Sequence, residues 1–483
     1  MVLLTTLCLI NTLYLHIENI QYVESAIGCK PMSIDNPSRR INYKSLSAMR
    51  QLRIGLSISI VLISLFSCEK EDGEDSGNSQ IDSSNAYVVF AWNDLGMHCL
   101  NPTYDEMVLL PPYNTVNVQV LKKGNPPTIV TNGITVEYSL INNNSSYGKR
   151  QYGGFWTNYT ALFGGTAPAN NIGMTGTALS GQMTLKTDHF TAEGMPVVPV
   201  NDAGVWDPYQ VIQIKVKDTS GKELIATQAT VPTSDEINCA KCHTEAGSTV
   251  FTNILKIHDS KEQTTLVNQK PVLCAKCHGS PALGTNGSGS SGKYLSEAIH
   301  GYHASKGATC YDCHPGATTK CNRSLAHIGS SGDGNCITCH GDMANVASTI
   351  KSGSRVPWVG EPKCVTCHAG VSGVDTNSTL YRNAKGHGNL YCTVCHGSPH
   401  AMYPSRETKD NYQPNQYQSS KIKTIGSCGV CHKNSRGEGT GGEFSEKHGG
   451  TNPEKMIACH VCHTAVSSNT ASWPHAYSWK NSN

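Results

Sequence analysis

The chain has 483 residues, a formal net charge of +2, and 38% hydrophobic residues with only 7 Phe. Near-neutral charge gives no sign of the broad basic surface that nucleic-acid binding uses, and the apolar content is thin for a conventional side-chain core in a chain of this length. Two or three domains fit the length, and the outliers are 21 Cys and 20 His.

Residues 1–48 read as an extension that the mature protein lacks. A second start, Met49, opens "MRQLRIGLSISIVLISLFSC". Arg50 and Arg53 form a basic n-region, the apolar run forms the h-region, and "LFSC" resembles a lipobox. Residues 49–67 are therefore expected to be a lipoprotein signal peptide, with the membrane anchor on Cys68. The competing reading, one transmembrane helix over 54–67, is short for a span. Residues 68–85, beginning "CEKEDGEDSGNSQ", are acidic and polar, as in a disordered tether. "CEKED" also resembles a Lys-then-acidic tag that carries lipoproteins to the cell surface. Residues 1–67 hold six Lys/Arg and three Asp/Glu, so their removal takes the formal charge from +2 to −1.

Residues 86–232 are rich in Val, Thr, Tyr, Asn and Gly. "AYVVFAW", "TVNVQVLKK", "ITVEYSL", "GQMTLKT" and "QVIQIKVKD" read as short strands, several with period-two alternation. Turns such as "KGNPP" and "NDAGVWDP" separate them. The pattern predicts an all-β domain, sandwich- or barrel-like. Within it, "WNDLGMHC" holds His98 and Cys99, read either as a packed structural pair or with His98 reaching out to cap a distant iron.

Residues 233–483 carry eight copies of C-x-x-C-H. The cysteines are Cys239 and Cys242, Cys274 and Cys277, Cys310 and Cys313, Cys336 and Cys339, Cys364 and Cys367, Cys392 and Cys395, Cys428 and Cys431, and Cys459 and Cys462. The histidines are His243, His278, His314, His340, His368, His396, His432 and His463. Composition alone gives roughly 0.04 chance copies of this haem-attachment pattern. Two thiols three residues apart can form thioethers with both haem vinyl groups, and the following His then binds the iron. Structural zinc does not need a His at one offset eight times, and the same His argues against thiol–disulfide exchange. The motif starts are separated by 35, 36, 26, 28, 28, 36 and 31 residues. Segments that short cannot enclose each porphyrin separately. The pattern predicts eight haem c groups packed close together as the apolar interior of a loop-rich, mainly short-helix domain.

The sixth ligand separates electron transfer from catalysis. Outside the motif positions this region holds His258, His300, His303, His327, His387, His400, His448, His460 and His475, one more than eight irons need. His300 and His303, in "AIHGYH", either include the surplus or serve different haems. His460 lies inside the last motif and is read as a ligand to a neighbouring haem. Met343 and Met456 are the alternative sulfur ligands, which the His supply makes unnecessary. No motif has Lys in place of its His, which counts against a catalytic haem of the kind many multihaem nitrite reductases use.

The chain resembles large exported multihaem c-type cytochromes of metal-reducing and related bacteria. The resemblance rests on "FAWNDLGMHC", "LPPYNTVNVQV", "DHFTAEGMPVVPVNDAG", "VPTSDEINCAKCH", "KPVLCAKCHGSPAL", "CYDCHPGATTKC", "EPKCVTCH" and "CHGSPHAMYPS", over roughly residues 86–435. It implies electron conduction at or beyond the outer membrane, with redox partner proteins and external mineral or shuttle acceptors. The leading reading is an electron carrier. The alternatives are an octahaem reductase of a small nitrogen or sulfur oxyanion with one open haem, and a subunit of a haem filament in which His475 serves the next molecule. Cys99 and Cys321 are the two unassigned cysteines of the mature chain; an oxidising compartment suggests a disulfide joining the β domain to the haem domain, and the competing reading is two buried free thiols.

Overall fold

A computed structural model of the chain describes residues 85–124, 126–316, 318–327, 336–360, 362–366, 379–417 and 430–431. The expected extension, signal peptide, Cys68 anchor and nearly all of the tether lie outside these residues. Among the described residues no helix is long and apolar enough to cross a membrane.

Two five-stranded sheets form the N-terminal region. One runs β1-β4-β9-β8, with β5 beside β4. Its strands are β1 (Tyr87–Asn93), β4 (Asn114–Lys122), β5 (Thr128–Ile129), β8 (Thr184–Leu185) and β9 (Phe190–Met195). The other runs β2-β11-β10-β6-β7, from β2 (His98–Cys99), β6 (Ile134–Leu140), β7 (Ser180–Gln182), β10 (Tyr209–Asp218) and β11 (Glu223–Ser234). β10 alternates buried and open positions, and its Ile212, Ile214 and Val216 face inward. They meet Val116, Val118 and Val120 of β4 and Val89 and Ala91 of β1 in one apolar cluster. Alternation puts one face of each strand into the space between the sheets, which makes the region a sandwich.

β1 departs from simple alternation because both its faces are covered. Val89 and Ala91 enter the sandwich core. Val88, Phe90 and Trp92 point the other way and pack with Tyr391, Val394 and Val430 of the C-terminal region. A strand buried on both sides reads as a continuous apolar run, which explains "YVVFAW". The quoted strand segments all fall on strands. β9 and β11 were not foreseen, because Gly194 interrupts the first and Pro232 the second.

The short helices α1 (Gly154–Thr157) and α2 (Tyr159–Phe163) close a second cluster at one end of the sandwich, where Phe155, Trp156 and Leu162 pack with Leu273 and Ala275. β3 (Met107–Val108) pairs in parallel with β12 (Val272–Leu273), so the second C-x-x-C-H motif begins on the flank of the β domain.

The C-terminal region consists of loops and short helices, as expected. Its helices are α3 (Val250–Glu262), α4 (Leu295–His303), α5 (Cys336–His340), α6 (Met343–Lys351), α7 (Cys392–His396) and α8 (Tyr412–Gln416). Thr249 caps α3 and Asp342 caps α6, each accepting a backbone N–H of the first turn. A two-stranded hairpin, β13 (Gly397–Ser398) and β14 (Ala401–Met402), follows α7 directly.

One buried ion pair clasps the two regions together. Arg323 Nε donates to Asp410 Oδ2 at 2.7 Å, with the two side chains 1% and 2% exposed. Arg323 Nη2 also donates to the Gly96 carbonyl at 2.7 Å, and Nη1 to the carbonyls of Lys320 and Cys321. Asp410 accepts further hydrogen bonds from Thr230 on β11 and from Ser405. The guanidinium lies over the Tyr209 ring, 4.9 Å from its centroid. Buried charges persist where every donor and acceptor is matched, and here the matching groups come from both regions.

Candidate haem-binding sites

Each described C-x-x-C-H motif is a single helical turn. In the first three, the histidine N–H reaches the carbonyl of the first cysteine at 2.9–3.0 Å. The turn brings both thiols and the imidazole together, which attachment at two vinyl groups requires. Desolvation pushes the Cys239 and Cys395 thiols up to about 11, and Cys274 up to about 12.

The imidazoles fall into facing pairs, each joining a motif histidine to a distal one. His243 faces His303 with ring centroids 6.2 Å apart, and His258 faces His278 at 6.4 Å. His300 faces His314 at 6.2 Å, and His340 faces His400 at 6.2 Å. These separations lie toward the long end of the range for aromatic pairs. Two metal–nitrogen bonds of about 2 Å, plus roughly 1.1 Å from each nitrogen to its ring centre, place trans imidazole centroids about 6.3 Å apart. Each pair would thus have room to hold one iron between its two imidazoles.

The Nδ1 atoms of the distal rings are engaged in the way such ligation needs. His300 Nδ1 meets the Ser296 carbonyl at 2.7 Å, and His303 Nδ1 the Ile299 carbonyl at 2.8 Å. His400 Nδ1 meets the Leu95 carbonyl at 3.0 Å. His258 Nδ1 meets Thr264 Oγ1 at 2.9 Å, and that hydroxyl donates onward to Asp259. A carbonyl can only accept, so Nδ1 carries the proton and Nε2 keeps its lone pair for a metal. Desolvation, then His400 and other charged neighbours, push the His340 pKa down to about 4. Desolvation with His300 and His400 does the same to His314, though that residue keeps a solvent-exposed surface. Neutral imidazole is the ligating form. Among the described residues no three His, Cys, Asp or Glu side chains cluster as a zinc site would need. The residues fit haem c.

Residues 302–397 match the cytochrome c3 family, a stretch that spans the third to the sixth motif. No curated protein and no solved structure matches the chain. This stretch is a multihaem c-type cytochrome segment. Its work is haem-based electron transfer.

His300 faces His314 of the third motif and His303 faces His243 of the first, one turn apart on α4. His340 has its partner in His400, so Met343 is not needed as a ligand. His98 is not a haem cap: its Nε2 pairs with Asp94 Oδ1 at 2.6 Å, and the ring is 6% exposed. Cys99 and Cys321 are thiols, not the expected disulfide. They are nevertheless neighbours, since desolvation and then Cys321 push the Cys99 thiol well above its ordinary range.

His327 and His396 are fastened to one short segment. Leu325 N–H donates to the Pro404 carbonyl, and Tyr403 N–H to the His396 carbonyl. The side chain of His387 lies outside the described residues. So do His368, His432, His448, His460, His463 and His475, with Cys367, Cys428, Cys459, Cys462 and Met456.

Sequence reading missed the role of "WNDLGMHC". Its turn holds His400, a candidate haem ligand, in place. Leu95 receives both the His400 ring and the His400 N–H, and Asn93 accepts from Ser398 Oγ at 2.6 Å. Gly96 has φ +83°, and a Cβ there would lie 3.1 Å from Ala401 N and 3.2 Å from His400 N. Gly96→Ala is therefore expected to cost about 1–2 kcal/mol from backbone conformation alone and to displace His400. A lowered denaturation midpoint with a perturbed ferric spectrum for one haem would bear this out. His98→Ala, by contrast, should leave every haem low-spin in electron paramagnetic resonance (EPR).

Proposed function

We propose that the chain is an exported octahaem electron carrier, anchored by lipid on Cys68 at the outer membrane. It passes electrons from redox partner proteins toward an external acceptor such as a mineral or a soluble shuttle. The pairing of four motif histidines with four distal ones carries this reading. Two imidazoles per iron leave no position for a substrate, and saturated iron suits electron transfer. His327 is proposed as the distal partner of His396, extending the pattern to a fifth haem, with the remaining distal histidines serving the other three. Sixteen haem propionates would add to the −1 formal charge of the chain after Cys68, which suits a basic partner surface.

Intact-mass measurement on protein matured in a cytochrome-competent host should show eight added haems, and substantially fewer would overturn the count. Ferric EPR should be low-spin throughout and unmoved by nitrite, cyanide or CO. A high-spin signal that shifts with those ligands would argue for a reductase. Two spectral classes are also expected. The imidazole planes lie at 22° and 21° in the His300–His314 and His340–His400 pairs, but at 73° and 79° in the His243–His303 and His258–His278 pairs. Near-parallel planes give rhombic signals and near-perpendicular planes strongly axial ones, so a single uniform class would contradict the ligand pairs.

A further inference from the structure

The haem reading, once granted, leaves open how the haems connect, and the protein segments between ligand pairs bear on that directly. α3 carries His258, which faces His278 of the second motif, and its Asn253 stands beside the His243 ring of the first. α4 carries His303 for the first motif and His300 for the third, one turn apart. The attachment turns of the first and third motifs also touch: Asn238 N–H donates to the Asp312 carbonyl at 3.1 Å, and Lys241 pairs with Asp312 at 2.8 Å.

The third motif leads to the fourth. α4 packs against α6, where Gly301 meets Ala347. Arg355, just past α6, donates to the His340 carbonyl at 2.9 Å. The fourth motif leads to the sixth, because His400, the distal partner of His340, lies four residues after His396 on the β13–β14 hairpin. The sixth motif then has two further neighbours. Cys392 packs with Cys364 of the fifth motif around Tyr381. Cys395 packs with Cys431 of the seventh in the cluster below β1.

We infer that the haems form a row in the order second, first, third, fourth, sixth, and that the sixth is a junction with the fifth and seventh as its two branches. Order in space thus differs from order in sequence. Among the haems held by described residues the second is an end of the row, seated on the β domain at Leu273 and Ala275. The sixth gathers three routes, held against β1 by Tyr391 and Val394. A junction of this kind lets one line of entry feed two exits, or the reverse.

The deciding experiment is a crystallographic or cryo-EM structure of the mature, haem-loaded chain. Among the first seven irons, the one bound by His396 should have the fourth, fifth and seventh as its nearest neighbours, and the one bound by His278 should have the first as its one near neighbour. A sixth iron with one or two near neighbours, or a second iron lying between two others, overturns the junction and the row respectively. A Cys392→Ala/Cys395→Ala variant supplies a second readout. Its mass should fall by one haem, and the EPR signals of three remaining haems should sharpen as their magnetic neighbour is lost. Sharpening of one signal or none overturns the proposal. A wild-type mass short of eight haems would instead undermine the octahaem reading, which keeps the two failures separate.

Discussion

Arg323→Met is expected to destabilise the protein by about 3–5 kcal/mol, the usual cost of removing one partner of a buried ion pair. The change leaves the Asp410 carboxylate below the surface with only the hydroxyls of Thr230 and Ser405 as donors. It also strips the Gly96, Lys320 and Cys321 carbonyls of their guanidinium donor. Arg323→Met with Asp410→Asn should recover part of the loss, because the uncompensated charge is then gone. Chemical denaturation of the haem-loaded protein measures both. A loss under about 1 kcal/mol would place this pair with ordinary surface salt bridges and remove it as the clasp between the two regions. The Arg323 backbone N–H donates to the His400 carbonyl at 2.7 Å, so a shift of this segment in the single variant should disturb the ferric signal of the haem attached at Cys336 and Cys339.

The second large effect is spectroscopic. Replacing His300 with alanine should open the sixth position on one iron, that of the haem attached at Cys310 and Cys313. One high-spin ferric signal and one CO-binding equivalent are expected. His303→Ala should do the same at the haem attached at Cys239 and Cys242. Adding Cys310→Ala and Cys313→Ala should abolish the signal created in the first variant and leave that of the second. If either histidine variant stays wholly low-spin and inert to CO, that residue is not an axial ligand. Neither change is at a charged clasp or in the sandwich core, so both proteins should remain folded through their covalent haems.

The attachment chemistry was fully legible in the sequence, because C-x-x-C-H packs thiols and imidazole into one local turn. The β-sandwich was legible wherever alternation held, as in β6 and β10. β1 was legible as a strand, but its two-sided burial depends on residues near position 391, which no local pattern announces. The distal histidines were visible as a set but not as pairs. His400 follows the sixth motif yet faces the fourth, and His258 precedes the second motif while its helix neighbours the first. Such assignments are long-range facts of packing. The role of "WNDLGMHC" escaped for a related reason: its conspicuous residues, His98 and Cys99, are interior, while its contact with the haem ligand is made by a backbone carbonyl at Leu95. A glycine flanked by turn residues was the signal that something approached closely there.

The two-sided burial of β1 bears on biogenesis. β1 is among the first described elements to leave the ribosome, yet the residues that cover its outer face come some 300 positions later. Until they arrive, Val88, Phe90 and Trp92 form an uncovered apolar stripe. Closure must wait for distant contacts, which makes the last step slow. A chain stopped before residue 390 would lack Tyr391, Val394 and Val430 and keep that stripe open to solvent.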